Sequence, residues 1–242
     1  KWNDYTYERS VFFVRPSFYL VTDYLDPLTD KTEVNTYEQR WHTLPGVSVS
    51  IDGENGIAST TGQNASVMIV PVQQADPVEA SVGRGYYSNK EGSSVETQHA
   101  KYTKTVAGTT TMNTLIYPVA PGKHYDITAQ NLNLSVPESK ASAFSAVIAD
   151  LDLGNVQEIT KYEKHTGREN AETLAFGDYI TDGYLAFTEK TNGKLTAAAL
   201  QGGTCLQDKA RNYLIKSENK VEGLSVSWSG LSVSYTHLTL PT

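Results

Sequence analysis

The chain opens on two apolar runs, Ser10–Val14 and Phe18–Thr22, broken by Arg15-Pro16-Ser17. Val, Phe, Tyr and Leu suit a pleated, half-buried surface, and proline, which lacks an N–H, belongs at the corner between strands. A third run, Val34–Leu44, alternates with period two. Val34, Thr36, Glu38, Arg40 and His42 fall on one face, and Asn35, Tyr37, Gln39, Trp41 and Thr43 on the other. The aromatic row marks the core side, so Arg40 and His42 point toward water or a ligand. Further strands are predicted over Gly46–Ile51, closed by Asp52-Gly53, and over Ala65–Pro71, a continuous apolar run expected to be buried on both faces. Asp76–Ser94, with Gly83, Gly85 and Gly92, reads as a long loop. Lys101–Val106 is expected to pair with Thr110–Tyr117 through Ala107-Gly108-Thr109, and Tyr125 opens a second half of the chain. Strands over Phe144–Leu151, Ile159–His165, Ala175–Tyr179, Gly183–Glu189, Leu195–Leu200 and Lys220–Trp228 follow, with Asn192-Gly193 as a hairpin turn. Asp208–Leu214 is open between a helical turn and a resumed strand. Frequent turn signals without a sustained helical period predict an all-β, antiparallel, multi-stranded β-sandwich.

Bulk composition narrows the function. The 242 residues carry a formal net charge of −7, which argues against a nucleic-acid partner that needs a basic patch. An acidic polysaccharide would need a local basic cleft on this acidic body. A single cysteine, Cys205, excludes an internal disulfide framework and a Cys-rich zinc site, and its apolar surroundings suggest a buried thiol. No apolar run approaches the ~20 residues of a membrane-spanning helix. Among the histidines, His99, His124 and His165 lie near expected strand ends and loops and are expected to be solvated. Asp23, Asp178 and Asp182 sit where strand-end and turn acids are common, and nothing in their spacing pairs them as glycosidase carboxylates or calcium ligands.

The ordered pieces ERSVFFV, YLVTDYL and YEQRWHTLPG, then KYTKTVAGTTTMNTLIYP, then FGDYITDGYLAF and GKLTAAALQGGTCL, run over most of residues 5–206. Together they resemble the C-terminal β-sandwich of heparinase II/III-like polysaccharide lyases. The resemblance implies a sandwich domain over 1–232 whose helical toroid lies upstream in the same chain. It implies an enzyme outside the cytoplasm, extracellular or periplasmic, that breaks acidic, uronate-containing polysaccharide by β-elimination. The family's His-Asn-Thr-like motifs, which contribute to catalysis and to a metal site, have no counterpart here. No catalytic residue, metal ligand or cofactor is therefore assigned in this stretch, although a divalent metal is compatible with the intact enzyme.

Four residues emerge as candidate substrate contacts. His42 stands in the family's "wH" position with Arg40 on the same strand face, and arginine offers a two-pronged fork to a carboxylate. The alternative is a structural pair on a sheet surface. Tyr7 and Arg9, two apart, occupy the place where the family often has His-x-Arg, here Tyr-Glu-Arg, and are candidates for lining the cleft. The competing function is a non-catalytic carbohydrate-binding or structural sandwich, which an exposed aromatic platform, with Trp2 or Trp41 as candidates, would favour. Residues 233–242, from VSYTHLTLPT, resemble a translated sequencing adapter and are read as a non-native tail, with a genuine last strand as the alternative.

Overall fold

The computed structural model describes residues 4–62, 65–121, 123–132, 134, 136, 143–169, 172–229 and 232–238. These residues form strands joined by turns, every sheet is antiparallel, and no α-helix occurs among them. Where the sequence suggests one domain over 1–232 without a linker, the chain resolves into two compact units, 1–125 and 126–242. The boundary falls where the second half opens.

The first unit contains β1 (Tyr5–Val14), β2 (Phe18–Pro27), β3 (Val34–His42), β4 (Ser48–Ile51), β5 (Ala58–Thr61), β6 (Ser66–Pro71), β7 (Glu79–Tyr87), β8 (Val95–Ala107) and β9 (Thr110–Val119). Six of them form a sheet in the order β1-β2-β9-β6-β5-β4, and the other three form a sheet β3-β8-β7. The two sheets share a core of Val49, Ala58, Ile69, Ala100, Tyr102 and Met112. Tyr102 fastens them: its hydroxyl donates to the Ile69 carbonyl at 2.8 Å and accepts from the Ala58 amide at 3.2 Å. A phenol so deeply buried needs both partners, because an unsatisfied polar group there costs about 1–3 kcal/mol.

Two local expectations change. The stretch read as a long loop holds the edge strand β7, because residues 79–87 pair in continuous register with β8. Glycine is a poor strand former, yet Gly83 and Gly85 both lie within β7. β8 and β9 do not pair with each other. After Ala107 the chain turns through Gly108, at φ 75°, and crosses into the other sheet, where β9 pairs with β2 and β6. β6 has a buried majority on both its faces, as its unbroken apolar run predicts.

The second unit contains β10 (Asp126–Asn131), β11 (Phe144–Asp152), β12 (Val156–Lys164), β13 (Leu174–Phe176), β14 (Tyr179–Thr181), β15 (Leu185–Thr191) and β16 (Lys194–Gln201). It continues with β17 (Gly203–Asp208), β18 (Tyr213–Val221), β19 (Gly223–Ser229) and β20 (Ser232–Leu238). Its sheets run β10-β11-β12-β15-β16-β19-β20 and β13-β14-β17-β18. A run of aromatic rings, Phe144, Tyr162, Phe176 and Tyr179, spaced 5.3–6.0 Å apart, fills the space between them. Asn192 and Gly193, at φ 51° and 75°, make the tight β15–β16 turn that their dipeptide predicts. Residues 208–212 form a turn held by the Asp208 carboxylate on Asn212 rather than a helix.

The tail pairs along β19 as an edge strand, and Ser232, Val233 and Ser234 are exposed on it. So little burial predicts that removing residues 233–242 lowers the melting temperature by less than about 4 °C. A larger drop in a thermal scan of the truncated chain would identify β20 as an integral strand.

Candidate functional site

The four candidate residues separate into two places. Tyr7 and Arg9 lie on the face of β1 that looks toward β3. Arg40 and His42 lie on the outer face of the three-stranded sheet, because Trp41 between them points inward and meets Arg9.

The inward site is organised by Asp23, which the sequence suggests only as a strand acid. β1 and β2 place Asp23 directly opposite Arg9. The guanidinium grips the carboxylate with two prongs, Nε to Oδ1 and Nη2 to Oδ2, both 2.6 Å. Tyr7 donates its hydroxyl to Oδ1 at 3.1 Å, and Gln39 of β3 donates its amide to Oδ2 at 2.8 Å. Gln39 in turn accepts from Trp41 Nε1 at 3.2 Å and from Thr114 Oγ1 at 2.5 Å. These three contacts fix the amide's orientation, nitrogen toward the acid and oxygen toward the two donors. Asp23 is 3% exposed, so the ion pair is held in a largely dry setting on the acid's side and open on the arginine's. The Arg9 guanidinium is pushed up from its ordinary pKa, chiefly by its hydrogen bonds to Asp23. Burial and then the Asp23 charge push the Tyr7 hydroxyl up as well, away from the range of a base at neutral pH.

From this network the same face of β1 runs outward through Val11 and Phe13, which are 59% and 41% exposed. Phe13 stacks on its cross-strand partner Tyr19 with centroids 4.4 Å apart and planes 11° from parallel. Arg9 lies over the Trp41 ring at 5.2 Å and Arg15 over Phe13 at 5.9 Å. β3 meets β1 and β2 through Trp41 on Arg9 and Gln39 on Asp23, and beyond that contact Val11, Phe13 and Tyr19 continue as an apolar, aromatic strip with guanidinium groups along it. From Tyr7 to Phe13 it spans about 20 Å at a strand's rise per residue. Trp2, the other candidate for a platform, lies outside the described residues, and Trp41 is half-buried at the strip's inner edge.

On the outer face, Arg40 pairs with Glu38 through Nε at 2.9 Å and also through Nη2, and Lys101 approaches the same carboxylate at 3.4 Å. Hydrogen bonds from Arg40 hold the Glu38 carboxyl below its usual range. His42 stacks against His99, directly across on β8, with centroids 4.5 Å apart. His99 is 4% exposed, which corrects the expectation of a solvated ring; burial, then the neighbouring His42, lowers its pKa. Gly83 and Gly85 make the room: a Cβ at Gly83 would lie 2.2 Å from His99 Nε2, and one at Gly85 2.9 Å from His42 Nδ1. The glycines of β7 thus belong to a packed histidine pair. Gly83→Ala is expected to lower stability by about 1–3 kcal/mol through overpacking, read from urea unfolding midpoints.

The remaining candidates have structural explanations. Asp182 accepts the Thr204 and Cys205 amides on Oδ1 at 2.8 Å each and the Thr204 hydroxyl on Oδ2 at 2.5 Å, which spends both oxygens on β17. Cys205 is half-buried, not fully buried, and burial raises its thiol pKa. His165 is also buried, with Nε2 3.0 Å from the Ser145 hydroxyl. The donors at the inward site do not suit a metal ion: both Asp23 oxygens are taken by Arg9, Tyr7 and Gln39. No helix of the described residues is long and apolar enough to cross a membrane. No family model matches the chain, and no curated protein matches it.

Proposed function

We propose that this chain is the C-terminal sandwich part of a heparinase II/III-like lyase acting on acidic, uronate-containing polysaccharide, and that its own task is to hold the polymer. In this reading the β-elimination machinery and any divalent metal belong to an upstream helical toroid, and the enzyme works outside the cytoplasm. The observation that carries the reading is the strip from Tyr7 and Arg9 to Phe13 and Tyr19. Flat rings accept the C–H faces of sugars, and the Arg15 guanidinium over Phe13 attracts a carboxylate beside them.

The state of the named residues supports holding rather than cleaving. Arg9 already has its fork on Asp23, Tyr7 is tuned away from accepting a proton, and Arg40 with His42 faces the other way. The second reading, a free-standing carbohydrate-binding module, is favoured by the Phe13–Tyr19 stack itself.

Affinity electrophoresis through gels containing hyaluronan or alginate tests the proposal. The chain is expected to be retarded relative to a dextran gel, F13A/Y19A is expected to migrate freely, and no unsaturated uronate product is expected in the ultraviolet. Equal mobility in all gels would sink the binding role, and robust turnover would place the catalytic machinery within this chain.

A further inference from the structure

The opposite face of the six-stranded sheet carries a second concavity, far from the strip. A cavity of about 470 Å³ opens over β4, β5 and β6 and the turn after β9. That volume is in the range of small-molecule sites. Strand register builds its wall: Ser50 faces Ser59, Ser59 faces Met68, and Thr61 lies on the same side of β5. Alternation sends Val49 and Ala58 to the core and leaves the hydroxyls of Ser50, Ser59 and Thr61 on the outside, with Ile51 and Ile57 also lining the cavity. The floor is apolar, with Met68 and Val119 buried. Lys123, His124 and Asp52 stand at the rim. Amide donors of Glu54 and Asn55, the Asn55 side chain and nearby His124 hold the Asp52 carboxyl below its usual range.

These parts match one acidic sugar. Serine and threonine hydroxyls both donate and accept, as ring hydroxyls require. Met68 and Val119 offer a small apolar patch to the C–H side of a pyranose, Asp52 accepts hydroxyl protons, and Lys123 supplies the cation for a carboxylate. We propose that this cavity is a subsite for a single uronic-acid residue, either a chain end or a released monosaccharide. The choice of a uronate rests on the polysaccharide reading above; the cavity and its hydroxyl wall do not.

Ligand-observed NMR and calorimetry with glucuronate and methyl glucoside, on the full chain, test it. Glucuronate is expected to bind the wild type. Lys123→Gln should weaken that binding about tenfold, the size of one lost charge-assisted contact, and leave methyl glucoside unchanged. Ser59→Phe, verified as folded by circular dichroism, should abolish both by filling the cavity. No glucuronate binding by the wild type, or binding unchanged in both cavity variants, overturns the subsite. A wild type that binds glucuronate yet is not retarded in acidic-polymer gels would count against the strip alone.

Discussion

Arg9→Met is expected to destabilise the first unit by about 3 kcal/mol. The stability loss comes from Asp23, not from the arginine. At 3% exposure the acid would be left with the neutral donors Tyr7 and Gln39, and a buried charge stripped of its counter-ion costs about 3–5 kcal/mol. The lower end is expected because the Arg9 side chain is itself 37% exposed, so its half of the pair is partly solvated. The double variant R9M/D23L removes the charge along with its partner and should recover most of the loss, as buried pairs replaced together often do. Urea unfolding of the three proteins measures this. If R9M and R9M/D23L are equally unstable, the cost lies in lost packing on Trp41.

The second large effect is on stability against pH. Burial lowers the His165 pKa to about 4 and also lowers that of His99. A histidine in the unfolded chain titrates near its ordinary value of about 6.5, so below that pH the unfolded state binds protons that the folded state refuses. The contribution is whole above pH ~6.5 and is lost as pH falls toward 4. For His165, a difference of about 2.5 units corresponds to about 3 kcal/mol. His165→Gln keeps a hydrogen-bonding group for Ser145 and should flatten the decline between pH 7 and 4 in urea titrations. An unchanged slope would show that His165 is not the group responsible.

The sequence exposes local order better than it exposes which strands meet. The β1–β2 hairpin, the two faces of β3, the doubly buried β6 and the Asn192-Gly193 turn all follow from period-two alternation and turn chemistry. The pairing of β8 with β3 and β7 does not, because Ala107-Gly108-Thr109 resembles a hairpin and nothing local says that it changes sheets. β7 was hidden for a related reason: its glycines are poor strand formers, kept by the histidine rings beyond them. The site was legible in parts. Tyr7 and Arg9 stand out as a same-face pair, but their organising partner Asp23 is distinguished only by lying opposite Arg9 across the hairpin. The Tyr7-Arg9-Val11-Phe13 alternation is legible in the sequence, but that β3 meets only its Tyr7–Arg9 end is not. His42 reads as a candidate contact because its partner His99 is 57 positions away in sequence.

Hydrogen exchange with and without a uronate oligosaccharide locates the surface that holds the polymer. Slowed exchange is expected on addition of the acidic oligosaccharide in β1 and β2, over residues 7–21, and around Trp41, with no change for a neutral oligosaccharide of equal length. Saturating acidic oligosaccharide that leaves these segments unprotected, or that protects only the outer face carrying Arg40 and His42, would contradict it.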